Sequence, residues 1–174
     1  GLARFLIHVT GVAAHSSKPE LGVNAISKMA RIVTAIEDEI EASYADLRHP
    51  LTGHPRLNIG VIKGGVQINF VPDHCVIEVD RRVIPGEDPM ETVRPFRELL
   101  ARLASEDPEL DAQLETPFLL DTSMETPEDA EIIRVAAAAC EATVGASTVV
   151  GVPYGTDASK FTAIGIPSSV LGPG

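Results

Sequence analysis

The chain has little positive charge and no block of it. Fourteen Lys and Arg stand against 25 Asp and Glu, a formal net charge of −11 with a pI near 4.8. Nucleic acids and anionic membranes both need a positive face, so neither is expected as a partner. The acidity reads as a solvated surface. Only two cysteines occur, Cys75 and Cys140, far apart in apolar stretches where a free thiol behaves as a small buried hydrophobe. A reducing, cytoplasmic setting is therefore expected. No apolar run reaches the roughly 20 residues of a membrane helix, and the opening GLARFLIHVTG lacks the long apolar core of a secretion signal. Metal motifs are missing too: there is no His-x-Asp, His-Glu-x-x-His, Cys-x-x-Cys or Glu-Glu pair. A complete zinc or two-metal centre is thus not expected from this chain.

What is there is a length of 174 residues, enough for a real core, and a regular alternation of patterns. Phe5, Ile7 and Val9 alternate with Leu6, His8 and Thr10 in the two-residue period of a half-buried strand, with His8 on the wetter side. Ile26, Met29, Ala30, Val33, Ile36 and Ile40 recur at the spacing of one helix face between Asn24 and Ala42. RLNIGVIKGG and HCVIEVDRRVI read as an antiparallel hairpin with a wide connection. Asp88, Pro89 and Glu91 open a second helix, and Pro95 predicts a bend or a late start in it. A further strand is expected within ELDAQLETPFLL.

Strand, helix, strand, strand, helix, strand is the order of a two-layer α+β sandwich, most simply ferredoxin-like, with both helices on one face of an antiparallel sheet. After it, Thr126 and Pro127 are expected to open a helix ending near Gly145. STVVGV and IPSSVLG read as buried strands of a partial α/β segment. Residues 1–120 are thus expected to form one domain and residues 121–174 part of a second.

Three stretches could carry chemistry. His15 lies in GVAAHSSKPELGVNA among residues too small to shield it, and would be presented to whatever docks there. It also fits an ordinary polar turn. Asn69 in KGGVQINFVPD is either an outward-pointing amide or a turn side chain bonding its own backbone. Arg82 shares a strand face with Glu78 and Asp80, as an exposed ion pair or as a fork for a carboxylate. Gly155, Thr156 and Asp157 stand at a strand-to-helix junction that could receive an anion or simply cap the helix.

Together and in order, GVAAHSSKPELGVNAI, IGVIKGGVQINFVPDHCVIEVDRRVIPG and GVPYGTDASKFTAIGIPSSVLGPG resemble one family. It comprises the zinc-dependent peptidases and amidohydrolases that include acetylornithine deacetylase, succinyl-diaminopimelate desuccinylase, aminoacylase and glutamate-releasing carboxypeptidases. The resemblance implies that residues 1–120 are the dimerisation or lid domain and residues 121–174 a C-terminal part of the catalytic domain. It implies that His15 reaches across a homodimer to stabilise an oxyanion in the partner's site. It makes Asn69 and Arg82 substrate contacts, and Gly155, Thr156 and Asp157 a loop lining the pocket. It further implies two zinc ions in the full-length enzyme, held by residues this sequence lacks, so the chain alone is expected to be inactive. The expected reaction is cleavage of the amide bond of an N-acyl amino acid or small peptide. The alternative is a non-catalytic dimerisation or small-molecule-binding module, since fold does not fix function.

Overall fold

In the computed structural model, which describes residues 1–172, the first alternating run becomes strand β1 (Leu2–Thr10). Phe5, Ile7 and Val9 are fully buried, whereas Arg4, Leu6 and His8 look toward the opposite face. β1 pairs antiparallel along its whole length with β5 (His74–Arg82), which in turn pairs with β3 (Arg56–Gly64) as the expected hairpin. On the other side of β1 lie β6 (Asp111–Leu114) and β7 (Leu119–Asp121). These are the two halves of the single expected strand, interrupted around Pro117, which has no N–H to give a ladder. Hydrogen bonds from Glu115 N–H to the Leu6 carbonyl (3.0 Å) and from Phe118 N–H to that of Arg4 (3.1 Å) bridge the break. The order β3-β5-β1-β6 leaves β3 at an edge.

Both helices cover one face. Asn24 caps α1 (Ala25–Ala35) by accepting from Ser27 N–H at 3.0 Å. The helix runs on through a wider π turn, Ile36–Glu41, so its apolar stripe continues to Ile40. Asp88 accepts from Met90 N–H at 2.8 Å, and a 3₁₀ turn (Glu91–Val93) leads into α2 (Arg94–Glu106). Pro95 sits in the first turn of α2, where its missing N–H has no helical partner to lose, and the late start is what is found. Met29, Ile32 and Ile36 meet Phe96, Leu99, Leu100 and Leu103 over Phe5, Ile7, Cys75 and Ile77. Phe5 and Phe96 stack edge to face, ring centroids 4.9 Å apart.

One charge is folded into this core side. Arg81 follows Cys75, Ile77 and Val79 on the helix-covered face and is only 2% exposed. Its guanidinium forks onto Glu87 at 2.6 and 2.7 Å, lies 4.6 Å from the centre of the Tyr44 ring and donates to the Tyr44 hydroxyl at 3.2 Å.

Beyond Asp121 the chain is helical and irregular. α3 (Glu131–Val144) ends at Gly145 as expected, but starts after a turn in which Ala130 N–H bonds the Pro127 carbonyl, so Thr126 and Pro127 do not open it directly. α4 (Ala158–Ala163) follows. The runs STVVGV and IPSSVLG, expected as buried strands, form no strand among the described residues; Val149 and Val150 are 43% and 66% exposed. A strand needs a neighbour for its backbone groups, and none lies beside them here. This segment touches the loop after α1: His49 Nε2 lies 2.9 Å from Glu125 Oε1, and Gly151 passes against the Leu51 backbone. No described helix is long and apolar enough to cross a membrane.

Candidate functional site

His15 is placed by a tight crossing of two backbone segments. Val12 and Val23 exchange hydrogen bonds of 2.9 Å in each direction, immediately beside Gly11 and Gly22. A Cβ on Gly11 would fall 2.1 Å from the Val23 carbonyl oxygen, and one on Gly22 2.7 Å from that of Val12. The two glycines of the GVAAHSSKPELGVNA stretch therefore permit the approach. The loop they close carries β2 (Ala14–His15), which pairs with β4 (Phe70–Val71) off the main sheet. Ser16 N–H donates to the Asn69 carbonyl at 3.0 Å, and the Phe70 ring meets His15 edge to face at 6.1 Å. Two candidates far apart in sequence, His15 and Asn69, thus become neighbours, both exposed.

The His15 ring is set for donation. Ser17 N–H donates to Nδ1 at 3.2 Å, and Ser17 Oγ stands 2.8 Å from the same atom. A nitrogen that accepts from a backbone N–H cannot carry a proton itself, so the neutral imidazole holds its hydrogen on Nε2. The segment that leads into β4 exposes large apolar side chains: Val66 is 92% and Ile68 102% exposed, and Phe70, the one against the His15 ring, 47%.

Arg82 stands at the other end of the sheet. In register it faces Leu2, whereas the His15 loop follows Thr10, so about eight residue steps, on the order of 25 Å, separate the two ends. Arg82 Nε lies 2.8 Å from Asp80 Oδ1, and the other oxygen of Asp80 accepts from Arg4 Nε at 2.8 Å. One carboxylate thus sits between two guanidiniums, with Arg56 opposite Arg82 on the next strand. Arg82 is accordingly in the ion-pair arrangement with Asp80 and not with Glu78.

Gly155, Thr156 and Asp157 come to this same end. Asp121, cross-strand from Leu2, lies 3.9 Å from where a Gly155 Cβ would stand, and 3.4 Å from the hydroxyl of the buried Ser159. Ser159 also donates to the Thr156 carbonyl at 3.0 Å. Asp157 precedes α4 without capping it; its carboxylate takes Lys160 Nζ at 2.9 Å instead, which holds the carboxyl below the usual range and raises the amine. Arg4 and Asp121 escaped the sequence reading. The strand alternation that placed Arg82 also places Arg4 opposite Asp80, but the position of Asp121 depended on β7 joining β1.

The candidates therefore form two groups, His15 with Asn69 and Arg82 with residues 155–157, at opposite ends of one sheet. No three His, Cys, Asp or Glu side chains converge as a metal centre among the described residues.

Comparison with known proteins gives the family of the chain. The chain is 29% identical to acetylornithine deacetylase of Myxococcus xanthus, over 97% of its own length and 43% of that protein's. It is 30% identical to a protein of Aspergillus clavatus named "Probable carboxypeptidase", over 95% of its length and 36% of the relative's. Among solved structures, aminopeptidase PepT of Bacillus cereus superposes with a TM-score of 0.67 at 25% identity, covering 95% of this chain and 42% of that one. The chain thus spans less than half of each of these proteins. Residues 1–108 match the family described as "Peptidase dimerisation domain", and the chain belongs to that family.

Proposed function

We propose that this chain is the dimerisation domain, with an adjoining piece of the catalytic domain, of a hydrolase that cleaves the amide bond of N-acyl amino acids or small peptides. In this reading it works as a homodimer in which His15 acts in the partner's site. The observation that carries the reading is the separation of the two residue groups to opposite ends of the sheet. No single chain can bring His15 to Arg82. Two copies can: β3 is an edge strand, and pairing it antiparallel with its own copy sets the Gly64 end of one protomer beside the Arg56 end of the other. The exposed Val66, Ile68 and Phe70, which follow the Gly64 end of β3, would then be covered.

Each residue has a task in this assembly. His15 donates from Nε2 to the oxygen that gains charge as the carbonyl is attacked. Asn69, next to it, offers an amide to the same substrate. Arg82 grips a substrate carboxylate with its fork, exchanging part of its contact with Asp80. Gly155 and Thr156, with Asp157, line the pocket beside Asp121. Zinc would activate the attacking water in the full-length enzyme, and the chain alone, which gathers no such ligand set among its described residues, is expected to be inactive. Two free thiols, Cys75 buried and Cys140 partly so, suit a cytoplasmic setting.

Mixing two inactive variants of the full-length enzyme tests the reading. His15→Ala and Arg82→Ala, each dead alone, should regain about a quarter of parental activity when mixed, because random pairing makes half the dimers hybrid with one intact site each. No recovery, with hybrid dimers demonstrated, overturns action across the dimer.

A further inference from the structure

We propose that His8 and His74 form a two-imidazole site for a divalent transition-metal ion of the zinc, nickel and copper class, on the helix-free face of the sheet. The two residues are diagonal neighbours on the paired strands β1 and β5, since His8 faces Val76 and His74 faces Thr10. Their side chains converge: His8 Nδ1 and His74 Nε2 are 3.2 Å apart, with ring centroids at 5.4 Å and planes tilted by 43°. Two imidazole nitrogens on one ion, each about 2.0–2.1 Å from it, stand about 2.8–3.0 Å apart at a right angle and about 3.3–3.4 Å apart at a tetrahedral one. The observed separation, now that of a ring-to-ring hydrogen bond, falls between these, so chelation requires loss of the shared proton and a turn of the rings but no change in their spacing.

The far side of His8 supports the same role. Its Nε2 is buried without an aligned hydrogen-bond partner, yet lies 2.9 Å from Glu115 Oε1. A small turn of this half-exposed carboxylate lets it accept from Nε2–H, which leaves the Nδ1 lone pair free toward His74. A carboxylate behind a histidine raises the basicity of the ligating nitrogen and fixes its ring. Imidazole suits ions of this class better than magnesium or calcium, and water completes the coordination on the exposed side. Bound there, the ion ties β1 to β5 at the end of the sheet that carries the His15 loop.

Nickel chloride titrated into the metal-stripped 174-residue chain at pH 7.5 tests the site by calorimetry. One ion per chain is expected, bound at least tenfold more weakly by His8→Gln and by His74→Gln, about tenfold more weakly by Glu115→Gln, and with parental affinity by His15→Gln. Nickel should also raise the melting temperature of the parent. A measurement that needs no variant accompanies it: paramagnetic nickel should broaden the NMR signals of His8 and His74 first. Absence of binding by the parent, parental affinity in either His8→Gln or His74→Gln, or broadening centred on another histidine overturns the proposal.

Discussion

Ser17 aims its backbone N–H at His15 Nδ1 across 3.2 Å, leaving the proton of the neutral ring on Nε2. Nitrogen NMR of the chain should therefore show the Nε2–H form as the dominant neutral tautomer. In the full-length enzyme, His15→Ala should lower turnover on the order of 100- to 1000-fold, the usual loss for a single donor to a developing oxyanion. Turnover within about threefold of the parent would remove His15 from the reaction.

The buried pair Arg81–Glu87 should dominate local stability. Glu87 accepts two guanidinium hydrogen bonds and one from Ile84 N–H at 2.9 Å, so its loss strands a charge that is almost wholly buried. Glu87→Ala is expected to destabilise by about 3–5 kcal/mol in chemical denaturation. The double variant Arg81→Met, Glu87→Leu should lose much less, because no unpaired charge remains. If the single variant unfolds at the same denaturant concentration as the parent, the pair contributes nothing.

A second ion group ties α1 to the turn after α2 and sets a pH dependence. Lys28 Nζ donates to both oxygens of Asp107, at 2.7 and 3.0 Å, and to Glu109 at 3.1 Å, with Arg31 also on Asp107. The lysine hydrogen bond holds the Asp107 carboxyl below its ordinary value, and Asp107 in turn raises the Lys28 amine. A carboxyl depressed in the folded state stabilises fully above its unfolded pKa near 3.8 and loses that contribution as pH falls through the lower folded value. For Lys28 the sign reverses: its contribution is complete below 10.5 and fades as pH rises through the higher folded value. Melting temperatures of Asp107→Asn should converge on those of the parent at the acid end and fall below them at neutral pH. A constant gap between pH 2 and 7 would contradict this.

The sandwich was readable because each of its elements carries its own signal: the alternation of Phe5, Ile7 and Val9, the stripe from Ile26 to Ile40, the Asp88-Pro89 opening. The helix stripe was right in period but partly wrong in face, since Ile26 and Ala30 are exposed and Ile32 is fully buried in their stead; the sheet order follows once both helices must share a face. Pairings at a distance were not readable in this way. Nothing in KGGVQINFVPD announces that the Asn69 carbonyl will meet Ser16, or that Asp121 will lie against Gly155, since these contacts exist only after loops close. STVVGV misled for a related reason: its apolar run is compatible with a strand, but a strand is a property of two segments. Arg81 shows the opposite failure, a charge on a face that the alternation marks as buried, made tolerable only by Glu87 and Tyr44.

The glycine crossing offers the sharpest separation of folding from function. Gly11→Ala puts a methyl group 2.1 Å from the Val23 carbonyl, closer than any real contact, so the segment carrying His15 must move. The sheet need not, because β1 ends at Thr10 and its pairing with β5 lies on the near side of the crossing. Overpacking of this kind costs about 1–3 kcal/mol, which the core under α1 and α2 can absorb without unfolding. Gly11→Ala in the full-length enzyme should therefore remain folded and dimeric while turnover drops toward that of His15→Ala, with a smaller change in KM. Circular dichroism, light scattering and steady-state kinetics on one preparation decide it. Full turnover in a folded variant would mean that the loop tolerates displacement and that the position of His15 is not what catalysis depends on.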